Sequence, residues 1–355
     1  MSWENNVRRV IPYTAGEQPR REGIIKLNTN ESPYPPAPGV ARKIAELDAR
    51  QMRLYPAFPE QTELAAVLAD YYGIGVDGIF IGVGSDDVLC QAFVTFFNSD
   101  KPILFPDITY SFYDVWADLY RIPYSRPPLD ETFQIRKEDY LTEKGGTGCG
   151  GIVFPNPNAP TGVLMPLDEV EEIVAANRDV VVIVDEAYID FGGTSCLPLI
   201  HKYDNLLVVQ TFSKSRSMAG MRIGYAMGDP KLIKYLNDVK YSVNSYTMNY
   251  TALQLGVESV KDRAYFKESC EKIIKTREKA EKELSRLEFT FPKSYGNFIF
   301  ASHGSVSAKE IFERLKENDI YVRYWNKDRI NNYLRITIGT DEQMAALYRA
   351  LEKIL

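Results

Sequence analysis

The stretch "VVVIVDEAYIDF" at residues 180–191 decides the fold. It begins with five β-branched apolar residues in a row, and such runs are typical of a parallel strand buried on both faces. The run then ends in Asp185 and Glu186. A carboxylate at the end of so apolar a strand needs a cationic or N–H partner, which a ligand, a helix cap or a salt bridge could supply.

Similar apolar runs recur along the chain and predict further strands, at residues 79–83, 103–105, 152–154, 206–210 and 223–227. Helical patterns lie between most of them; Phe112, Val115, Trp116 and Leu119, for example, are spaced for one helix face. This alternation predicts an α/β fold in which helices sandwich a mostly parallel, doubly wound central sheet.

The pattern of alternating strands and helices changes after about residue 245. A charged helix is predicted over 262–287, and strands are predicted near 298–301 and 334–338. A smaller α+β domain fits this segment, whereas the proline-rich start reads as an extended arm. We therefore expect an N-terminal arm (1–35), a large domain (36–245) and a small C-terminal domain (246–355).

Composition narrows the function classes. The 355 residues carry a net charge of -6, so no overall basic field favours nucleic acid or an anionic membrane as a partner. The four cysteines are far apart without a CxxC, and there are two histidines, which argues against structural zinc or a disulfide framework. No apolar signal core or membrane span is apparent. We expect a cytoplasmic protein without a metal.

Polar residues cluster where predicted strands end, the place at which open α/β sheets bind ligands. In "GVGSDD" at 82–87, a glycine turn leads into a helix from about Ser85, whose free N–H groups suit a phosphate. Capping by Ser85, with Asp86 and Asp87 favouring the helix dipole, explains the stretch equally well. The turn "NPNAPTG" at 156–162 follows another strand.

Lys214 stands between two serines in "VVQTFSKSRSMAGMRIGY" at 208–225, and Arg222 follows eight residues later. Taken alone, Lys214 would be a solvated surface lysine. Together with Asp185 and the candidate phosphate turn, it has another interpretation. Pyridoxal phosphate needs a lysine that binds it covalently, a carboxylate for its ring nitrogen and a phosphate cradle. The combination predicts that cofactor.

In order and wording, the chain resembles the fold-type I pyridoxal-phosphate aminotransferases over nearly its whole length. The shared stretches are GSDD at 84–87, NPNAPTG at 156–162, DEAY at 185–188, SKSRSMAGMRIGY at 213–225 and LRITIG at 334–339. Within that superfamily, "LNTNESPYPP" at 27–36 and "VRYWNK" at 322–327, followed by "YLRITIGT" at 333–340, resemble the histidinol-phosphate subfamily.

The resemblance implies three catalytic residues. Lys214 would bind the cofactor and move the substrate proton, Asp185 would pair with the ring nitrogen, and Tyr188 would lie near the ring 3-oxygen. The other implied cofactor contacts are Ser85, Asp86, Tyr110, Asn158, Ser213, Arg222 and, from the second subunit of a homodimer with shared sites, Tyr55. The implied substrate contacts are Arg335 and Arg323, with a plain surface charge as the alternative for Arg323.

Tyr13 and Asn30, on the N-terminal arm, are candidates to close over the substrate. An exposed arm without a ligand role is the alternative for each.

One position departs from the family pattern. The family commonly has asparagine immediately before the PTG, but this chain has Ala159 there and Asn158 one place earlier. Either Asn158 shifts into the role of bonding the ring 3-oxygen, or Tyr188 and a water cover it.

The resemblance implies transamination between L-histidinol phosphate and 2-oxoglutarate, giving imidazole-acetol phosphate and L-glutamate, in histidine biosynthesis. Two alternatives stay open at this point. One is a lyase similar to threonine-phosphate decarboxylase, because sequence does not show which substrate bond stands perpendicular to the cofactor ring. The other is an aromatic or other amino-acid aminotransferase.

Overall fold

The computed structural model describes residues 2–19, 21–141 and 148–355. The helices in these ranges are α1 (Pro38–Glu46), α2 (Glu63–Tyr72), α3 (Ser85–Phe96), α4 (Tyr113–Tyr120), α5 (Leu167–Ala176), α6 (Pro230–Val243), α7 (Tyr250–Lys261), α8 (Arg263–Arg286), α9 (Ala308–Glu317) and α10 (Asp341–Ile354). The strands are β1 (Ile25–Lys26), β2 (Ile79–Gly82), β3 (Ile103–Leu104), β4 (Tyr124–Ser125), β5 (Gly151–Pro155), β6 (Val182–Asp185), β7 (Leu206–Thr211), β8 (Gly224–Gly228), β9 (Phe289–Thr290), β10 (Phe298–His303), β11 (Ile320–Tyr321), β12 (Arg323–Tyr324) and β13 (Leu334–Thr337).

The central sheet has seven strands in the order β2-β8-β7-β6-β5-β3-β4. β4, β3, β5, β6 and β7 run parallel, whereas β8 is antiparallel to both of its neighbours. The predicted mostly parallel sheet is therefore confirmed. The short strand β4 was not predicted, because two residues carry too little apolar pattern to be recognised.

Helices cover both faces of this sheet. Along β6, Val182 and Val184 face the core shared with α2, α5 and α7, while Ile183 faces the core shared with α3, α4 and α6. Successive strand side chains point to opposite faces, so a strand buried on both sides must be apolar at every position. This is the physical reason for the continuous run at 180–184.

A second core lies under the smaller sheet, whose order is β12-β13-β10-β9 with antiparallel pairing. It is packed by α8, α9 and α10. The long charged helix predicted over 262–287 is α8, and Asp262 caps its first turn by accepting from Tyr265 N.

The N-terminal residues belong partly to this smaller unit. β1 pairs in parallel with β11, and Leu27 is buried in the small core. α7, by contrast, packs in the large core. The predicted division at 35 and 245 stays a prediction. On this packing we propose that residues 25–31 group with the small domain and that the large domain extends through α7. None of the helices in the described ranges is long and apolar enough to cross a membrane.

Candidate active site

Two adjoining cavities open at the carboxyl ends of β5, β6 and β7. The inner one has a volume of about 180 Å³ and the outer one about 570 Å³, and both are lined by Lys214 and Tyr188. Eight of the ten predicted cofactor residues line the inner cavity: Ser85, Asp86, Tyr110, Asp185, Tyr188, Ser213, Lys214 and Arg222. Their common location follows from parallel strands, which all end at the same sheet edge.

One wall of the inner cavity is the start of α3. Gly84 is its N-cap with φ of 87°, and no side chain caps the helix. Capping by Ser85 is therefore wrong, because Ser85 is the first helical residue. A Cβ at Gly84 would stand 2.3 Å from Nη2 of Arg222, so only glycine allows the guanidinium this close. The uncapped N–H groups and Arg222 form a cradle that suits a phosphate.

Arg222 is held by three groups around the cradle. It pairs with the Asp86 carboxylate at 3.3 Å, and its Nη1 donates to Oγ of Ser213 at 3.4 Å and to the Ala219 carbonyl at 3.3 Å. Asp86 also accepts from the hydroxyl of Tyr110 at 2.7 Å. These bonds fix the phosphate cradle to the aromatic side wall of the cavity.

Asp185 ends β6 at the base of the cavity and is 5% exposed. Its Oδ1 accepts from Ala187 N at 3.1 Å and its Oδ2 from the hydroxyl of Tyr113 at 3.2 Å. Burial raises the pKa of Asp185 to about 7, although both hydrogen bonds act in the opposite direction. Because no cation in the described part of the chain pairs with it, the carboxylate fits a protonated ring nitrogen.

Lys214 lies half-buried between β7 and β8. Its Nζ donates to the Thr29 carbonyl at 3.1 Å and lies 5.7 Å from the centroid of the Tyr188 ring. The next residue, Ser215, donates to Asp190 at 2.5 Å and so ties this loop to the segment after β6. Lys214 is therefore held in place beside both cavities by one hydrogen bond of its Nζ.

Asn30 does not line either cavity. It is fully buried in the left-handed region, and its Nδ2 donates to the hydroxyl of Tyr188 at 2.9 Å. Its Oδ1 accepts from Oγ1 of Thr337 at 3.0 Å. The geometry thus speaks against direct substrate contact by Asn30 and makes it the support of Tyr188.

Asn158 also lies outside both cavity walls, whereas Ala159 lines each of them. The Asn158 amide donates to the Ile108 carbonyl at 3.0 Å and to Oγ1 of Thr161 at 3.1 Å, and it accepts from Oγ1 of Thr109 at 2.9 Å. Because these bonds occupy the amide, the geometry speaks against the predicted cofactor contact.

Tyr55 is 79% exposed and lines neither the inner nor the outer cavity of its own chain. Its ring stacks on Tyr246 at 4.5 Å between centroids. Met52, Leu54 and Tyr246 around it are also exposed apolar side chains.

The outer cavity is lined by Arg335, Arg323 and Tyr13. Nη2 of Arg335 donates to the Asn28 carbonyl and Nη2 of Arg323 to the Thr14 carbonyl, each at 3.1 Å. Nε of Arg335 is buried without a partner among the described residues. Two guanidiniums with unused donors make this cavity suited to an anionic substrate group.

Tyr113 and Trp325 are among the residues of the site that were not predicted. Tyr113 contacts Asp185 from α4, and Trp325 lines the outer cavity beside both arginines. An aromatic residue on a helix is usually a core residue, so Tyr113 carried no sequence signal. Trp325 carried a weak sequence signal, because it is a large aromatic residue in the polar stretch "RYWNKDR".

Comparison with known proteins places this site in a family. Residues 22–351 match the family "Aminotransferase class I and II". The histidinol-phosphate aminotransferase of Lactococcus lactis subsp. cremoris is 49% identical over 355 residues, covering 100% of this chain and 98% of that protein. That of Clostridium beijerinckii is 48% identical, covering 99% and 97%.

Solved structures share the fold. The histidinol-phosphate aminotransferase of Sinorhizobium meliloti, in complex with pyridoxal-5'-phosphate, has a TM-score of 0.84 and 24% identity over 93% of this chain and 90% of that one. The enzyme of Clostridium acetobutylicum has a TM-score of 0.84 and 22% identity over 93% and 99%. The predicted fold class is confirmed. The chain belongs to the class I and II aminotransferases, and the Lactococcus lactis and Clostridium beijerinckii relatives, which match it over nearly their full length, are histidinol-phosphate aminotransferases.

Proposed function

We propose that this protein is a pyridoxal-phosphate-dependent aminotransferase that acts on L-histidinol phosphate and 2-oxoglutarate, in the cytoplasm, as a step of histidine biosynthesis. The observation that carries the proposal is the 49% identity over the full chain to relatives with that name. The paired arginines of the outer cavity support it, because this amino alcohol carries a phosphate and lacks an α-carboxylate.

Pyridoxal phosphate fits the residues of the inner cavity. The start of α3, Ser213 and Arg222 would hold its phosphate, Asp185 would accept a hydrogen bond from its ring nitrogen, and Tyr110 would lie against the ring. When bound, the cofactor supplies an electron sink for the electrons left when the substrate Cα–H bond breaks.

The chain's own groups would then do the proton chemistry. Nζ of Lys214, once free, accepts the proton from the substrate carbon that carries the amino group and later returns a proton as the acid. Asp185 would keep its charge opposite the ring nitrogen. Tyr188, whose hydroxyl accepts a hydrogen bond from Asn30, would lie near the ring 3-oxygen. Arg335 and Arg323 hold the distal anion of the substrate, so that the reacting carbon faces Lys214.

The second substrate sets a further demand. Glutamate carries a carboxylate where histidinol phosphate has none, so Arg335 must accept a carboxylate as well as a phosphate. Guanidinium forks bind carboxylate and phosphate alike in a bidentate manner.

We also infer a homodimer in which Tyr55 of one subunit completes the phosphate cradle of the other. The exposed apolar group formed by Met52, Leu54, Tyr55 and Tyr246 supports an interface at this position.

An activity panel tests the function. We expect turnover of histidinol phosphate with 2-oxoglutarate well above that of phenylalanine or aspartate, measured as glutamate formed. Release of carbon dioxide from threonine phosphate, without glutamate, would favour the lyase instead. The threonine-phosphate decarboxylase of Porphyromonas gingivalis is 20% identical to this chain, which is evidence for a shared fold only.

A further inference from the structure

The indole of Trp325 lies beside two guanidinium groups at once. The Cζ atoms of Arg323 and Arg335 are each 5.2 Å from its ring centroid. The two arginines are also direct cross-strand partners, one on β12 and the other on β13. Like charges at directly opposite positions destabilise a sheet, so this pair requires compensation.

Among the described residues, no carboxylate pairs with Arg323 or Arg335 to offset the repulsion between them. Each guanidinium donates to one backbone carbonyl of the N-terminal segment, Thr14 or Asn28, and neither forms an ion pair with a described residue. The negative face of the indole is the attraction that the two cations share, and cation–π attraction is strongest when the cation is desolvated. Burial lowers the pKa of Arg335, and the Arg323 charge acts in the same direction.

The consequence concerns the charge of the ligand. A carboxylate carries one negative charge and is satisfied by a single guanidinium fork, whereas a phosphate monoester carries nearly two charges at neutral pH. The pair of Arg323 and Arg335 presents two adjacent cations to one anion. Other cations, Arg126, Lys327 and Arg329, also line the outer cavity. Nε of Arg335 is buried and has no partner among the described residues.

We propose that Trp325 is a positioning residue that holds Arg323 and Arg335 together and thereby selects dianionic, phosphate-bearing substrates over carboxylates. The inference deepens the proposed function and rests on it for the natural substrate. Without the indole, repulsion would move Arg323, the less buried of the two, toward solvent and leave Arg335 alone, which is sufficient for a carboxylate.

A purely structural role is the competing explanation, since Trp325 also packs against the large core. The neighbouring Tyr324 provides a matched control. Its ring packs on Phe312, 5.7 Å between centroids, in the small core, and it does not line the outer cavity. Tyr324→Leu therefore removes an aromatic ring from the adjacent position without touching the arginines.

The test is calorimetric titration of the holoenzyme with inorganic phosphate at pH 8 and, separately, with acetate. We expect Trp325→Leu to weaken phosphate binding by about tenfold to thirtyfold and acetate binding by less than about threefold. Trp325→Phe keeps an aromatic face and should stay within about threefold of wild type for both anions. Tyr324→Leu should leave both affinities unchanged.

Steady-state kinetics give the second measurement. Trp325→Leu should raise KM for histidinol phosphate by a similar factor, with kcat within about twofold. Equal losses for phosphate and acetate, or a Trp325→Phe variant as poor as Trp325→Leu, would overturn the proposal. If Trp325→Leu does not fold, the same titrations are done with Trp325→Phe and Trp325→His. His has a weaker π face than Phe, so Trp325→His should lose more phosphate affinity than Trp325→Phe.

The anion titrations need no turnover, so their outcome is separate from the proposed function. Lack of histidinol-phosphate turnover by the wild type, together with the expected loss of phosphate affinity in Trp325→Leu, would reject the substrate and keep the positioning role. If the wild type turns over histidinol phosphate but Trp325→Leu keeps its phosphate affinity, the positioning role is rejected and the proposed function stands.

Discussion

The hydroxyl of Tyr113 donates to Oδ2 of Asp185 at 3.2 Å beneath the inner cavity. Tyr113 is fully buried on α4, and burial, followed by the Asp185 charge, raises its pKa well above the usual range. The phenol therefore stays a donor and stabilises the charged form of a carboxylate that burial would otherwise neutralise. This contact links a helix of the large domain to the residue proposed to face the cofactor ring.

Tyr113→Phe should lower kcat/KM by about tenfold or more, because a hydrogen bond to a charged group is worth about 1.5–3 kcal/mol. The acid limb of the pH–rate profile should move to higher pH, since the lost donor favours protonation of Asp185. Tyr140→Phe is the matched control, because the buried Tyr140 hydroxyl has no partner among the described residues. Equal activity of the two variants would contradict the role of Tyr113.

Asp185→Asn should stabilise the cofactor-free protein in a pH-dependent manner. The pKa of Asp185 is raised to about 7 in the folded state, so the native protein binds a proton that the unfolded chain releases from about pH 4 upward. Wild-type stability therefore falls as pH rises toward 7. Urea unfolding should show the advantage of Asp185→Asn growing by about 2 to 3 kcal/mol between pH 5 and pH 8.

The same Asp185→Asn variant should lose activity after cofactor is restored, because an amide cannot stabilise a protonated ring nitrogen. The outcome against this role is a difference in unfolding free energy between Asp185→Asn and wild type that does not change with pH, together with normal turnover of the variant. Asp185 would then be only a strand-end cap.

Lys214→Ala should bind pyridoxal phosphate through the cradle at the start of α3 but turn over about 10²–10⁴-fold more slowly, the usual worth of general acid–base catalysis. Borohydride reduction of the wild-type holoenzyme, followed by peptide mapping, should find the cofactor on Lys214. An adduct on any other lysine would remove Lys214 from the mechanism.

Asn158→Ala should affect stability more than cofactor binding. Its amide makes three hydrogen bonds within the 108–163 region, and loss of buried partners costs about 1–3 kcal/mol. The cofactor dissociation constant should change by less than about threefold, whereas Arg222→Ala, measured in parallel, should raise it at least about tenfold. A large loss of cofactor affinity in Asn158→Ala would restore the contact implied by the family pattern.

Shared sites predict complementation between two damaged subunits. Mixed dimers of Lys214→Ala and Tyr55→Phe chains contain one intact site, so an equal mixture should recover about a quarter of wild-type activity if subunits pair at random in a symmetric dimer. Each variant alone provides the baseline. Heterodimers that form without any recovery would place Tyr55 outside the active site.

Local pattern was sufficient for the central sheet and for most of the inner cavity. The β-branched run ending in Asp185 requires burial on both faces, and parallel strands must end at one edge, so Asp185, Lys214 and the start of α3 meet there by topology alone. The two-residue strands β1, β4, β11 and β12 were not predicted, because they are formed by pairing with another segment and leave no periodic signal in the sequence. The equally short β3 was predicted at 103–105 because its residues are apolar.

The sequence by itself therefore determined the fold class, the cofactor and the residues whose positions follow from strand ends. Tertiary structure decided which side chains reach the cavity and which support it from behind. Asn30 and Asn158 look like ligand contacts in the sequence, yet their amides are used by buried partners. Trp325 gains its position beside two arginines only when β12 pairs with β13. Hydrogen-bond partners and cross-strand neighbours are long-range relations, so they are set by packing and not by local sequence.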